Sequence, residues 1–399
     1  SFGAMELGLA DGMAPQVALR DVTLRDAGGA ARADLARLDI TLSRAALLRG
    51  ALAPARVRMA GGRLILRRAA DGTLSVAFGA EGGGRRPPPD NRSFPEQLGA
   101  MLSRPVLAGL EAVTVEQLSL RYEDARTGRA WSADGGQAAL ERSGDRIELR
   151  GNVIVLGSRD YATSLEVNYS GPLDGSGADF GVRFEDVPAR EIAAQSPALA
   201  WLGALEAPIS GAVRAELDGA ARLGPLDATL QIGAGALRPN PATVPIPFRS
   251  ARTYFTYRPD NHEIAFSEIS VESDWGTARA EGRARLVGMQ AGWPRGLEAQ
   301  VELGEIAANP AGLYPEPVVF DGAAAELKLD LDPFALRIGA LRLRDEGRIL
   351  HLSGDARARP DGWSVDLAGR LARLGPERLL ELWPRTLKPK TRTWLDENV

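Results

Sequence analysis

GGRLILRRAADGTLSVAFG, residues 61–79, is the stretch on which the fold turns. Two apolar runs, one holding Leu64 and Leu66 and the other Leu74, Val76 and Phe78, flank Ala70-Asp71-Gly72. Asp-Gly supplies the positive φ of a tight turn, so the stretch predicts a β-hairpin with these five side chains on one face. The same alternation spreads upstream, through Val17, Leu19, Val22 and Leu24, then Leu38, Ile40 and Leu42, then Val57 and Met59.

Downstream, GAEGGGRRPPPDNRS (79–93) offers nothing to bury and reads as a loop. Ser93 before Phe94-Pro95-Glu96 starts a helix by capping logic, ending near Arg104-Pro105. Strands then return, with Leu118 and Leu120, Leu165 and Val167, and Phe180 and Val182 alternating against polar neighbours. VPAREIAAQSPALAWLGALEAP (187–208) breaks the pattern with one or two short helices. A second β stretch runs from about Ile209 to Asp366, with hairpin turns at Pro259–Asn261 and Asp345–Gly347.

Short strands following one another with few helices between them predict a mainly β fold: an elongated, curled antiparallel meander, taco-shaped in section, with a few short helices. Each strand has one apolar and one charged side, so one face alone can be buried. The expected organisation is residues 1–5 as an expression scar, 6–80 as a first β unit, and 81–108 as a loop and short helix. Residues 109–206 follow as a β unit with a helical interruption, 207–372 as a second β unit, and 373–399 as short helices cut off at Val399. Ser1–Ala4 ahead of Met5 leave room for a membrane anchor upstream.

Composition narrows the chemistry. The 399 residues carry a net charge of −4, which gives no global basic field for nucleic acid. With no cysteine, thiolate nucleophiles, disulfides and Cys-ligated metals are excluded. His262 and His351 stand far apart in sequence and read as ordinary polar residues, not ligands. No run of 18 apolar residues occurs. GxSxG, HExxH, Walker and strand-to-helix GxGxxG patterns are missing, and Asp330/Asp332 has the i,i+2 spacing of a solvated strand face. No catalytic residue, metal or cofactor is expected. What remains is the apolar face, with Leu64, Leu66, Leu74, Val76, Phe78, Leu118, Leu120, Leu165, Val167, Phe180 and Val182 as its inward candidates. It can be filled as a core or stay open as a groove for an apolar ligand.

ITLSRAALLRGALAPARVRMAGGRLILRRAADGTLSV (40–76) resembles the N-terminal region of the AsmA-like proteins of bacterial envelopes, with Leu47-Leu48-Arg49-Gly50 and Asp71-Gly72 at that family's characteristic places. The closing LWPRTLKPKTRTWLDENV (382–399) is similar to a motif of the large members, carried by Trp383-Pro384, Pro389, Thr391-Arg392 and Trp394. The resemblance implies a non-enzymatic protein built of repeating β-grooves, on the periplasmic face of the inner membrane of a Gram-negative bacterium. It implies a phospholipid or other acyl-chain ligand moved toward the outer membrane, and an inner-membrane helix upstream. Pro376 and Pro384 would start short helices anchored by Trp383 and Trp394, either capping the groove or facing headgroups. An envelope scaffold that binds protein segments is the competing expectation.

Overall fold

The computed structural model describes residues 1–10, 13–25, 31–69, 74–78, 94–125, 128–156, 162–219, 222–309, 312–314, 316–384 and 386–398. The fold is mainly β, 64% strand and 13% helix. The chain forms two compact units, residues 1–186 with 212–224 and residues 187–211 with 225–399. The divide lies at the start of the helical interruption, which goes with the second unit.

The first unit begins with β1 (Ala4–Ala10), β2 (Ala14–Arg25) and β3 (Ala31–Leu42), followed by the short helix α1 (Arg44–Leu47). Next come β4 (Pro54–Ala60), β5 (Arg63–Arg68) and β6 (Leu74–Phe78), then helix α2 (Phe94–Leu102). β7 (Ala112–Asp124), β8 (Arg129–Ser143), β9 (Arg146–Leu156), β10 (Ala162–Pro172) and β11 (Gly177–Pro188) complete it. β1 through β4 pair antiparallel in sequence order, as do β7 through β11. β5 and β6 form the hairpin read from the sequence, with Leu64 opposite Phe78 and Arg68 opposite Leu74. Its Ala70–Gly72 turn lies outside the described residues.

The two runs join in a way that an antiparallel meander does not predict: both β4 and β5 pair with β7 in parallel. Parallel neighbours need a long crossover, and the chain through β6 and α2 supplies it. β4 and β5 act as one strand broken at Gly61-Gly62, whose φ values of 79° and 130° suit glycine. Opposite the break, β7 bulges at Gln117, which has φ 55°. Gly61 N–H donates to Glu116 O at 2.9 Å and Ser119 N–H to Gly62 O at 2.9 Å, so pairing continues through the bend.

The second unit opens with α3 (Ala189–Ala193) and a 3₁₀ segment, Pro197–Ala204, then β12 (Leu205–Glu206). β13 (Pro208–Asp218) runs on into the first unit's residues, and β14 (Leu223–Ile232) returns. β15 (Gly235–Leu237) and β16 (Ile246–Phe248) join β12 in a small three-stranded sheet. The large sheet continues with β17 (Ser250–Arg258), β18 (Glu263–Ser273), β19 (Gly276–Val287) and β20 (Gly296–Leu303). After the short β21 (Ile306–Ala308) and β22 (Val318–Phe320) come β23 (Gly322–Leu331), β24 (Phe334–Asp345), β25 (Arg348–Arg359) and β26 (Gly362–Arg370). The chain ends in α4 (Pro376–Leu382) and α5 (Pro389–Asn398). The antiparallel ladder runs β14-β17-β18-β19-β20-β23-β24-β25-β26. Both expected hairpin turns fall where the sequence puts them, between β17 and β18 and between β24 and β25.

This second sheet is curled. The Trp363 indole N–H of β26 donates to Val244 O at 2.7 Å, and the Thr243 hydroxyl donates to Arg359 O at 3.4 Å. Val244 is six residues before the start of β17, a reach of at most ~21 Å. Seven ladder steps separate β17 from β26, about 33 Å if the sheet were flat. β26 therefore comes round toward the small sheet.

Candidate functional site

Register decides which side chains share a face, because residues directly paired across a ladder point the same way. In the first unit the register draws a single line across nine strands: Leu7, Val17, Ile40, Val57, Val113, Leu140, Leu149, Tyr169, Phe180. A second line beside it reads Met5, Leu19, Leu38, Met59, Val115, Ala138, Gly151, Val167, Val182. Both lines are apolar from end to end. The neighbouring line on the other face reads Glu6, Ala18, Asp39, Arg58, Thr114, Ala139, Arg150, Asn168, Gly181.

The bulge at Gln117 keeps this face apolar. It adds a residue between Val115 and Leu118, so both stay on the same side although their spacing is odd. Leu118, Leu120 and Tyr122 then continue the face, Leu120 pairing with Leu64 and Tyr122 with Leu66. Tyr122 stacks on Trp131 with centroids 5.1 Å apart. Leu165 pairs with Val153 and Phe184, and Val167 with Val182. Leu64, Leu66, Leu118, Leu120, Leu165, Val167, Phe180 and Val182 thus share one face of one unit. The side chains of Leu74, Val76 and Phe78 lie outside the described residues, although their strand pairs with β5.

The face is covered unevenly. Helix α2 sets Leu98 and Leu102 against Leu110, Leu140, Ile147 and Tyr169, all buried. Burial pushes the Tyr169 phenol pKa up. Val22, Leu35 and Leu38 form a smaller cluster. Toward β1 the cover stops: Met5, Leu7 and Leu9 are 53%, 74% and 65% exposed. Among the sequence candidates, Leu118 is buried, while Leu64, Leu66, Leu120, Leu165, Val167, Phe180 and Val182 are half-buried. Sequence reasoning read β2 through β4 as strands but named no site residue on them, and it missed β1. Its signal was present in the Met5-Glu6-Leu7-Gly8-Leu9 alternation, where residues 4 and 5 were set aside as a scar but form the first rungs with β2.

The second unit repeats the design with smaller side chains. One line reads Leu226, Tyr257, Ile264, Ala284, Ala299, Leu327, Ile338, Gly354, Leu367. Another reads Leu230, Thr253, Ile269, Ala280, Leu303, Ala323, Leu343, Leu350. The first strands are packed shut, with Leu230 and Ile264 at 0% exposure and Leu199 and Leu202 of the 3₁₀ segment buried as well. Trp201 meets the Phe266 ring edge-on at 6.3 Å. At the far end the face opens, and Val365 and Leu367 of β26 are exposed.

The polar faces are made of surface ion pairs, such as Arg20–Glu6, Arg37–Asp39 and Lys328–Glu298. Glu123 accepts from Arg67 Nε at 2.7 Å and Arg121 Nε at 2.9 Å, which hold its carboxyl below the usual range. Asp330 sits on β23 and Asp332 in the turn after it, so the two do not face one another across a cleft. His262 lies in a turn with its Nδ1 3.4 Å from the Tyr257 hydroxyl. His351 is on the polar side of β25, between Arg342 and Arg370. Among the described residues, no group of three or more His, Asp or Glu could hold a metal ion, and no helix is long and apolar enough to cross a membrane.

At the C-terminus, α4 starts at Pro376 as expected, but the second helix starts at Pro389 and not at Pro384. Ahead of it, Leu387 N–H donates to Pro384 O at 3.0 Å. Trp383 donates to Leu387 O at 2.6 Å, while Trp394 is 59% exposed. The contact that fixes α4 is Arg378. It donates to both Asp345 carboxylate oxygens, to Val319 O at 2.7 Å and to Glu381, and lies 5.7 Å over the Phe320 ring. The Leu47-Leu48-Arg49-Gly50 element is the end of α1, with Ser43 as its N-cap and Gly50 at φ 74°.

No family model, curated protein or solved structure matches the chain.

Proposed function

We propose that this chain is a non-enzymatic carrier of phospholipid, moving acyl chains along the apolar faces of its sheets. The observation that carries this reading is the pair of unbroken apolar lines across nine strands of the first unit, ending in exposed Met5 and Leu7. A core needs burial, and these lines extend past what the unit itself covers. An acyl chain transferred to such a face is kept from water at about 0.8 kcal/mol per CH₂. Leu, Val and Ile without a fixed polar partner suit a ligand that slides, and the headgroup can stay in solvent.

With the resemblance to AsmA-like proteins, the same reading sets the work in the periplasm, along a path from an inner-membrane anchor toward the outer membrane. The exposed β1 also favours a second reading, in which an apolar protein segment lies on this face.

Mass spectrometry of lipid co-purifying with the protein tests the choice. Phospholipid with the parent, at least several-fold reduced in a folded Leu120→Asp variant, is the expected result. A lipid-free parent that also refuses fluorescent phospholipid would reject the carrier and leave the protein-binding reading.

A further inference from the structure

The segment Arg238–Val244 joins β15 to β16 but does not stay beside them. It crosses to the far edge of the second unit's sheet. At its root, Arg238 N–H donates to Ala204 O at 2.8 Å, and the Arg238 guanidinium reaches Glu206, which also pairs with Arg190 at 3.0 Å. Asn240 Oδ1 accepts from the Ala242 and Thr243 amides at 3.1 and 3.0 Å, and Arg238 also donates to Pro241 O. Pro239 and Pro241 fix φ along the segment and Pro245 follows it. It is therefore a stiff, self-braced strap with a firm root.

Its far end is held by two side-chain hydrogen bonds. Thr243 is 1% exposed, and its hydroxyl reaches Arg359 O at 3.4 Å. Val244 O takes the Trp363 indole N–H at 2.7 Å, and Trp363 rests edge-on against Phe334, with centroids 6.0 Å apart. Trp363 shares its side of β26 with Val365 and Leu367 by strand alternation, so the strap meets the apolar face and not the charged one. Val365 and Leu367 are 59% and 54% exposed, whereas Leu230 and Ile264, on the strands nearer the root, are sealed. The strap ends where the packed part of the face gives way to the open part.

We propose that Arg238–Val244 is a latch between the small sheet and β26, and that its release admits an acyl chain sideways onto the second unit's apolar face. This rests on the carrier reading and adds the place and control of loading. Closed, two side-chain hydrogen bonds tie the Trp363 end of β26 to the strap, next to Val365 and Leu367. Released, the stiff strap swings about its root and frees the Trp363 end of β26 without disturbing the sealed strands.

The chain has no cysteine, so a Val244→Cys/Val365→Cys double variant, at two exposed positions beside the Trp363 hydrogen bond, can be bridged specifically with a short bis-maleimide. Uptake of a fluorescent phospholipid from vesicles is then compared between the bridged and unbridged double variant, with circular dichroism as the check on folding. The bridged form is expected to load at least fivefold more slowly. Trp363→Phe, which keeps the ring on Phe334 but removes the donor, is expected to load about fivefold faster than the parent, the weight of one hydrogen bond. Equal rates in bridged and unbridged protein would overturn the latch and leave the carrier standing. No uptake by the parent or either form would overturn the carrier itself, and the latch with it.

Discussion

The two units solve one problem with different side chains. Each has a large sheet with an apolar and a charged face, and each covers part of the apolar face with a short helical segment. In the first unit the lines across the sheet are Leu, Val, Ile and Met almost throughout, and the cover, α2, reaches from β8 to β10. In the second, Ala284, Ala299, Ala323 and Gly354 interrupt the larger residues. Small residues at these rungs suit a tighter curl, and the early strands close on themselves around Leu230 and Ile264. Both units leave a strand uncovered, β1 in one and β26 in the other. One pattern thus produces a sealed part that supplies stability and an open part, the one proposed above to carry the acyl chain.

The largest effects should fall in the sealed part. Ile264→Ala removes a side chain with no exposure and should cost about 2–5 kcal/mol in urea unfolding. Leu7→Ala, on a strand exposed along most of its length, should stay within about 0.5 kcal/mol. Equal costs would erase the distinction between packed and open strands.

Arg378→Ala comes next. It strips Asp345, 3% exposed, of its main cation and frees Val319 O, at a cost of about 2–3 kcal/mol with faster amide exchange in α4. Trp394→Ala, by contrast, should leave stability unchanged, since its ring is largely in solvent.

Gly99→Ala sharpens the picture of the first unit's cover. A Cβ there would lie 2.1 Å from Leu173 O, so α2 must lift from the β10–β11 turn. A loss of about 1–3 kcal/mol is expected, with greater solvent access to Leu98 and Leu102, read by hydrogen exchange.

The smallest effect concerns pH. Glu123 titrates lower folded than unfolded because Arg67 and Arg121 hold its charge. Its contribution is complete above the ordinary carboxylate pKa and disappears as pH falls through the lowered folded value. Glu123→Gln should therefore flatten part of the acid limb of the urea-stability profile, modestly, because the pair is partly solvated. An unchanged acid limb would show that this bridge between β5 and β7 adds nothing measurable.

Most of the fold was legible because a period of two survives averaging over a strand. The hairpin at residues 61–79, the turns at 259–261 and 345–347 and the short helices after Pro188 all carry local signals. The parallel joining of β4 and β5 to β7 does not, since it depends on a crossover through a stretch without periodicity. The strap was equally hidden: RPNPATV carries no local signal of where it docks, and its contacts lie more than a hundred residues away. Arg378 was overlooked for a related reason. Tryptophan is the obvious anchor in a short helix, but the buried acid that selects an arginine is visible only once Asp345 is placed beside it.

The central claim, that phospholipid lies along one face of the first unit's sheet, is most directly tested by a cysteine scan of β10 from Ser164 to Tyr169. Each single cysteine is the protein's only thiol, and its reaction with a soluble maleimide is timed with and without bound phospholipid. The account predicts lipid protection at 165 and 167 and none at 164, 166 and 168, a period of two set by the register. Protection at neither set, or equally at both, would contradict it.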